Sequence, residues 1–280
     1  MRRANRRPQA RAQQKDHVHY PLPSDTQQAF ERLSAQQPTN LGLIFDRFAL
    51  DWSRDATLKK RALGAVRQRA CAFAAEYLKE LLRRWRLCVE AAHGVPFALS
   101  TEWRFVAGLG RKGSLEVGFT FNRHGVPILP GSSVKGIARA AARYAGISED
   151  NSDFVEIFGR VSEKDEEEGQ AGGAIFFDAM PHLIKLDLDV MNPHFPNYYQ
   201  KGDPPAVWQS PVPVYFLTVA PGVPFWFAVG WRGVFDQHAQ RLRQRAEDWL
   251  RLGLTTLGAG AKTNAGYGFF VPAPPEIKLL

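Results

Sequence analysis

The amino-acid sequence predicts an α+β protein, in which a helical N-terminal part is followed by a sheet packed against two helices. Three features of the 280-residue chain lead to this prediction. Residues 57–93 repeat apolar side chains at spacings of three and four, as an amphipathic helix does. After Gly94, short segments of alternating apolar and polar residues are typical of strands. Two further helical segments and several glycine-rich turns separate these strands.

The N-terminal part divides at its changes of composition. Residues 1–25 are polar, basic and interrupted by prolines, so we expect a disordered basic tail. Short helices are predicted at Thr26 to Leu33 and at Leu43 to Trp52. The sequence therefore predicts a tail (1–25), a helical extension (26–94) and a main domain (95–280).

Positive charge is concentrated in this N-terminal part of a chain whose net charge is +8. The first 15 residues hold six basic residues and no acidic one, and residues 57–86 hold nine basic residues against Glu76 and Glu80. Such concentration suits contact with a polyanion, although a solvated basic face would look the same.

The predicted helix over residues 57–93 has an apolar stripe that we expect to face the core. Cys71 and Cys88 lie on the same predicted helix, too far apart for a disulfide bond, so we expect two buried thiols and a reducing compartment. The stripe consists of Leu63, Val66, Ala70, Phe73, Tyr77, Leu81 and Trp85.

The main domain alternates between strands and helices. Without an irregular segment at about residues 185–211, and with two strands that are joined by a short turn counted as one unit, its order is strand, helix, strand, strand, helix, strand. That order predicts a ferredoxin-like (RRM-like) sheet with two helices on one face, and with the other face open as a platform for RNA. Strands are predicted at residues 96–106, 114–122, 172–181, 211–220, 224–231 and 269–271, and helices at 135–146 and 236–252.

The glycine-rich segment at residues 258–268 is the first candidate binding site. Glycines let backbone N–H groups approach a phosphate closely, and a lysine beside them completes an anion cradle. A P-loop is excluded, because the segment follows a helix and precedes a strand. A structural turn into the last strand is the alternative interpretation. The candidate residues are Gly258, Gly260, Lys262, Thr263, Asn264, Gly266 and Gly268.

The second candidate is the start of the helix after Pro130. Free N–H groups at a helix start attract anions, and two basic residues four positions apart lie on one helical face. A plain N-cap would explain the two serines without any ligand. The candidate residues are Gly131, Ser132, Ser133, Lys135, Gly136 and Arg139.

Together these segments resemble the RAMP superfamily of CRISPR-associated RNA-binding proteins. Over residues 96–271 the order of motifs is similar to the sixth subunit of the Cmr (type III-B) effector complex. The motifs are LEVGFTFNRHGVPILPGSSVKGIAR, IFG at residues 157–159, FFDAMP, VMNPHFPNYY, PVPVYFLTV and GAGAKTNAGYG.

The resemblance implies a backbone subunit near the 3′ end of the guide RNA (crRNA), in the cytoplasm and in antiviral defence against invading RNA. Its partners would be the guide RNA, the paired target RNA and adjacent RAMP subunits of the Cmr complex. The two candidate sites would grip phosphates, and the insertion would be a thumb that wedges between bases. The thumb residues would be Met191, Asn192, His194, Phe195, Tyr198 and Tyr199.

Evidence for catalysis is weak in the sequence. His194 and Asp178 are the main candidates, and His182, Asp187 and Asp189 are the others. An Asp at a strand end followed by Ala-Met-Pro, as Asp178 is, is more often a turn or cap residue. We find no metal-ligand spacing, no cofactor motif and no membrane span, so we expect a non-catalytic protein without cofactor or metal. A RAMP endoribonuclease and a protein-docking module that does not contact RNA are the alternatives.

Overall fold

The computed structural model of this protein describes residues 22–32, 40–48, 56–111, 115, 117–160, 169–192, 202, 204, 211 and 213–278. The predicted basic tail lies outside these residues, except for its last four positions, where the first helix already begins at Ser24. Most of the predicted insertion, including His194, Phe195, Tyr198 and Tyr199, also lies outside them.

The described residues form a mixed helix and sheet structure, as predicted. The helices are α1 (Ser24–Arg32), α2 (Leu41–Arg47), α3 (Ala56–Ala70), α4 (Ala75–Ala91), α5 (Gly131–Tyr144), α6 (Ser152–Phe158) and α7 (Gln237–Thr256). The strands are β1 (Phe97–Thr101), β2 (Gly159–Arg160), β3 (Gln170–Ala171), β4 (Ala174–Phe176), β5 (Met180–Pro181), β6 (Leu186–Met191), β7 (Val214–Val219), β8 (Pro224–Phe227), β9 (Val229–Trp231) and β10 (Phe270–Pro272).

The prediction of one long helix over residues 57–93 is wrong, because the chain breaks between α3 and α4. Tight bonds such as Cys71 N–H to the Gln68 carbonyl (3.2 Å) and Phe73 N–H to the Ala70 carbonyl (3.2 Å) close α3. The apolar side chains of α3 belong to the main core, whereas those of α4 belong to a second cluster. Phe73 packs against both clusters. One straight helix would not reach both, so tertiary packing overrides the helical periodicity.

Three side-chain predictions fail with that helix. Cys71 and Cys88 are both exposed rather than buried, and Cys71 lies in the turn between the helices. Tyr77 is 44% exposed rather than in the core. Its hydroxyl instead forms a hydrogen bond with Nδ1 of His124 at 2.8 Å. A stripe read across a break therefore assigns the wrong face to the residues beside it.

The largest sheet has the strand order β10-β1-β8-β5, and all of its neighbouring strands are antiparallel. Ala228 lies between β8 and β9, and β9 pairs with β4, outside this sheet, rather than with β5. Helix α7 starts one residue after Asp236, which caps it by accepting the Ala239 N–H at 2.9 Å. Helices α5 and α7 pack against each other beside this sheet.

Among the described residues, the face of the sheet that was predicted to be open is covered around β5 and β8. Phe225 and Phe227 of β8 belong to the main core, whereas the alternating residue Trp226 belongs to the second cluster. Alternation along a strand places these side chains on opposite faces. Helix α4 covers the second face with Leu78, Leu82, Trp85 and Val89. The side that RRM-like modules offer to RNA is therefore occupied by the protein's own helix.

Two further predictions change in the structure. The described residues between 115 and 122 form only an isolated bridge, Phe121 with Pro127, rather than a strand. Gly118 instead donates its N–H to the Leu109 carbonyl at 3.0 Å, and a Cβ on Gly118 would lie 2.4 Å from the Gly108 carbonyl oxygen, so this part of the chain packs against residues 108–109. Conversely, β6 lies within the segment read as irregular and pairs with β7 along its whole length.

The end of β1 allows a direct test of the fold. The buried Thr101 hydroxyl donates to the Ala220 carbonyl at 2.9 Å and accepts the Val223 N–H at 2.9 Å. Thr101→Val keeps the shape and leaves both backbone groups buried without a partner, so it should lower the free energy of unfolding by about 1–3 kcal/mol. Denaturant titration checks this. Ser100→Ala is the matched control, since that buried hydroxyl has no partner among the described residues, and an equal loss there would contradict the account.

Candidate nucleic-acid interface

The glycine-rich loop, residues 258–268, connects α7 to β10 and is held against the chain that follows β1. Ala261 N–H donates to the Val106 carbonyl at 2.8 Å, and Gly268 N–H donates to the Arg104 carbonyl at 2.9 Å. A Cβ on Gly260 would lie 2.2 Å from the Val106 oxygen, and one on Gly268 would lie 1.9 Å from the Ala259 oxygen. Internal packing alone therefore requires these two glycines.

The tip of the loop is the part that a ligand could reach. Asn264, Ala265 and Gly266 are exposed, and Lys262 is partly exposed with a left-handed backbone (φ 64°). In the described part of the chain, no hydrogen bond engages the N–H groups of Thr263 and Asn264. Two adjacent N–H donors beside a lysine ammonium form an arrangement suited to a phosphate.

The ammonium of Lys262 also contacts an aromatic ring of a neighbouring strand. Its Nζ lies 5.7 Å from the ring centroid of Phe216 in β7. In the described residues no carboxylate pairs with this ammonium. The lysine is therefore positioned by the ring while it keeps its positive charge for a ligand.

The start of α5 is more occupied than the sequence predicts. Gly131 N–H donates to Oδ1 of Asp178 at 2.7 Å, so a carboxylate already lies at this helix start. Ser133 and Val134 donate their N–H groups to the Pro130 carbonyl. Ser132 and Gly136 are exposed. The space for an anion at this helix start is therefore reduced.

The two basic residues of α5 have partners within the protein. Lys135 Nζ donates to the carbonyl of Phe158, the last residue of α6, at 2.7 Å. Burial, with the charges of Arg139 and Arg232, lowers the pKa of Lys135 below its usual range. Arg139 donates to Glu149 at 2.6 Å. Both side chains thus tie α5 to its neighbours.

The two candidate sites both begin near one contact between α5 and α7. Gly253, in the last turns of α7, packs so closely on α5 that a Cβ there would lie 2.6 Å from Cγ2 of Ile137. The glycine-rich loop begins five residues after Gly253, and α5 begins six residues before Ile137. At about 1.5 Å per helical residue, each site is within roughly two turns of this contact.

A polar network connects the loop to the β6–β7 hairpin, the antiparallel pair Leu186–Met191 and Val214–Val219. The Tyr267 hydroxyl donates to Oδ2 of Asp189 at 2.6 Å, and Arg104 donates to Oδ2 of Asp187 at 3.0 Å. Arg104 Nε also lies 3.4 Å from Asp189, and Arg67 of α3 lies 3.5 Å from Asp187. Both aspartates, which the sequence offered as catalytic candidates, therefore serve as ion-pair partners.

The pKa values of this network follow from its contacts. Burial, the Asp189 hydrogen bond and the Asp189 charge raise the pKa of Tyr267 to about 12. Burial opposes ionisation of Asp187, but the Leu188 N–H and the charges of Arg104 and Arg67 outweigh it and lower its pKa. At neutral pH the tyrosine is a hydrogen-bond donor and Asp187 is ionised.

Sequence reading missed Trp103 and Arg104. Trp103 is 47% exposed, and the Arg104 guanidinium lies 4.7 Å from the centroid of its ring. The dipeptide lies two residues after the end of β1, beyond Glu102. An aromatic residue with an arginine beside it near a strand end is the signal that could have identified it. The pairing of Arg104 with Asp187 and Asp189 could not be predicted from the spacing of these residues in the sequence.

Several predicted residues do not form a site in the described part of the chain. Met191 ends β6 and Asn192 follows it. Asp178 lies at the start of α5, apart from His182, whose Nδ1 lies 3.3 Å from the Trp226 indole N–H. Burial lowers the pKa of His182. Among the described residues, no cluster of three His, Cys, Asp or Glu could bind a metal, and no helix is long and apolar enough to span a membrane.

Comparison with known proteins gives matches over the same region. The RAMP superfamily matches residues 107–271. CRISPR system Cmr subunit Cmr6 of Pyrococcus furiosus is 31% identical over 254 residues, which cover 70% of this chain and 73% of that protein.

Two solved structures are also similar. A chain of the type III-B Cmr-beta complex bound to cognate target RNA aligns with a TM-score of 0.57 and 20% identity, covering 76% of this chain and 70% of that one, which shows a shared fold. The crystal structure of Cmr6 from Pyrococcus furiosus shares 30% identity over 64% of this chain and 98% of that one, at a TM-score of 0.39.

The Tyr267 hydrogen bond gives a testable consequence. Tyr267→Phe removes a bond to a carboxylate and should lower the free energy of unfolding by about 1–3 kcal/mol at neutral pH. Because the folded pKa is raised to about 12, this contribution is present below about pH 10 and is lost as the pH rises towards 12. Chemical denaturation at pH 7 and above pH 10 measures it. Tyr144→Phe, at a residue 66% exposed, is the control and should have no effect.

Proposed function

Since the chain belongs to the RAMP superfamily, we propose that it is a guide-RNA-binding backbone subunit of a type III-B Cmr complex. The observation that carries the proposal is the glycine-rich loop, whose tip offers two N–H donors and Lys262 within the matched region. Its relative is a Cmr subunit by name, and the similar chain of known structure comes from a Cmr complex bound to target RNA.

The proposed core is ferredoxin-like. β1 and β5, joined through α5, are parallel and separated by β8, and β8 and β10, joined through α7, are parallel and separated by β1. Two interleaved units of this kind are what a split β-α-β arrangement requires. The helical extension before residue 95 would then be an addition that covers the free face of the sheet.

The phosphate-binding role falls first on Lys262, Thr263 and Asn264. Gly258, Gly260, Gly266 and Gly268 would shape the loop rather than contact the ligand themselves. At α5 the exposed residues Ser132 and Gly136 would take part. Lys135 and Arg139 would reach RNA only by leaving their partners Phe158 and Glu149.

The remaining roles follow from the family resemblance. The chain between β6 and β7 would be a thumb that contacts bases of the guide and target RNA, and the loops would place this subunit near the 3′ end of the guide. Adjacent RAMP subunits of the complex would be its protein partners, in the cytoplasm. The exposed thiols of Cys71 and Cys88 suit a reducing compartment.

We propose that the subunit binds RNA without cutting it. Asp178 accepts the Gly131 N–H and therefore acts as a cap for α5, which is the structural interpretation of this residue and not the catalytic one. Its backbone carbonyl accepts the Trp85 indole N–H at 2.9 Å, so the residue also joins α4 to the sheet. Both contacts give Asp178 a structural role.

Lys262→Ala tests the phosphate site. It should weaken binding of labelled guide RNA several-fold and reduce the slope of log K against log salt by about 0.7, because one phosphate contact is lost. Fluorescence anisotropy over a salt series measures both quantities.

Lys79→Ala is the matched control for Lys262→Ala, because that ammonium pairs with Glu76 on the surface of α4. If the two substitutions have equal effects, or if Lys262→Ala binds RNA as wild type does, the loop is a structural turn and not a phosphate site.

Asp178→Ala and His194→Ala test the non-catalytic assignment. Incubation of the purified chain with labelled repeat RNA should leave the RNA intact for wild type and both variants. Asp178→Ala should also lower the free energy of unfolding by about 0.5–2 kcal/mol, since α5 loses its cap. Cleavage by wild type that His194→Ala abolishes would establish an endoribonuclease instead.

A further inference from the structure

Helices α3 and α4, which were predicted as one basic helix, differ in their ratio of basic to acidic residues. Helix α3 has five basic residues and no acidic residue, whereas α4 has four basic and three acidic residues. The acids of α4 pair within the helix, and two arginines lower the pKa of Glu80 to about 2. The excess positive charge of this region therefore belongs to α3.

The exposed face of α3 is centred on Gly64. Ala62, Leu63, Val66 and Ala70 are buried in the main core. Positions three or four residues from Gly64 lie on its own side of a helix. These positions are Lys60, Arg61, Arg67 and Gln68, and all four are exposed.

Gly64 leaves bare backbone in the middle of this basic face. A Cβ added there would meet no atom within 4 Å, so packing within the described protein does not require a glycine. A glycine in the interior of a helix makes the helix less stable than an alanine does at the same position. Bare backbone at this position lets a sugar-phosphate chain approach the helix closely, between side chains that carry positive charge.

Helix α3 lies beside the same hairpin as the glycine-rich loop. Lys60 Nζ is 5.0 Å from the ring centroid of Tyr215, and Lys262 Nζ is 5.7 Å from that of the next residue, Phe216. Consecutive strand residues project from opposite faces. Lys60 and Lys262 therefore lie on opposite faces of the hairpin, and a polynucleotide that crosses the hairpin would meet both.

We infer that the face of α3 around Gly64 is a second phosphate-binding surface for RNA. It would take the sugar-phosphate backbone without reading bases, through Lys60, Arg61 and Arg67. This inference rests on the proposed function, which it extends from one loop to a path over both sides of the hairpin. A polyanion is favoured over a protein partner, because α3 has no acidic residue and, of the three exposed cations on this face, only Arg67 faces a carboxylate among the described residues, that of Asp187.

The first test removes the charges. The variant Lys60→Gln, Arg61→Gln, Arg67→Gln should bind labelled single-stranded RNA at least tenfold more weakly at low salt, and its salt slope should fall by up to about 2. Lys79→Gln, Arg84→Gln, Arg86→Gln is the matched control on α4, with the same loss of charge, and should change binding little. Equal losses in both variants would mean that net charge, and not this face, governs binding.

The second test adds bulk without changing charge. Gly64→Gln should weaken RNA binding while the melting temperature stays the same or rises, because the site is open and glutamine favours a helix. Gly64→Ala should raise the melting temperature and keep most of the affinity. Wild-type binding by Gly64→Gln would overturn the inference.

Failure of this inference can be distinguished from failure of the proposed function. If the α3 variants bind RNA as wild type does while Lys262→Ala binds weakly, the loop is the binding site and α3 is a solvated face. If Lys262→Ala also binds as wild type does, the proposed function itself is wrong.

Discussion

Arg104 is the residue on which the arrangement of the candidate interface depends. Its backbone carbonyl accepts the N–H of Gly268, and its guanidinium pairs with Asp187 and Asp189 of the hairpin. One residue thus positions the glycine-rich loop and the base of the hairpin relative to each other. The loop has a left-handed backbone at five positions, and ordering such a loop costs conformational entropy. Attachment on both sides offsets that cost before any ligand binds.

The position of α4 constrains where RNA can bind. Because α4 covers one face of the sheet around Trp226 and Met180, and α5 and α7 lie by the other, the described residues leave no open stacking platform over β5 and β8. Binding must use loops, the hairpin and exposed helix faces at the edges of the molecule. The exposed Trp103, stacked with Arg104, lies at such an edge. The same feature explains why the domain needs its N-terminal extension, since without it Trp226 and Met180 would be exposed.

Most regular elements of the fold can be predicted from the sequence, and the failures have physical causes. Helix α7 and the strands around Gly222 follow from periodicity and turn chemistry. The break after Ala70 could not be predicted, because no glycine or proline marks it. It arises because α3 and α4 pack into two separate hydrophobic clusters. Strand β6 was readable as the alternation of Leu186, Leu188 and Val190, but the polar segment after it obscured the signal. The place of the glycine-rich loop between a helix and the last strand follows from the sequence. The partners of Lys135 and Arg139 arise from tertiary contacts that spacing does not reveal.

The electrostatics of the hairpin base separate structural charges from charges available to a ligand. Asp187 and Asp189 would repel a phosphate, but Arg104 and Arg67 lie against them and balance their charge. The two positive and two negative charges nearly cancel at distances beyond the Debye length, which is about 8 Å in physiological salt. What remains on the two sides of the hairpin is Lys262 and, on α3, Lys60 and Arg61, and α3 itself holds no acidic residue. A polyanion near the hairpin would then be drawn to its sides, while the carboxylates in the middle hold the hairpin in place.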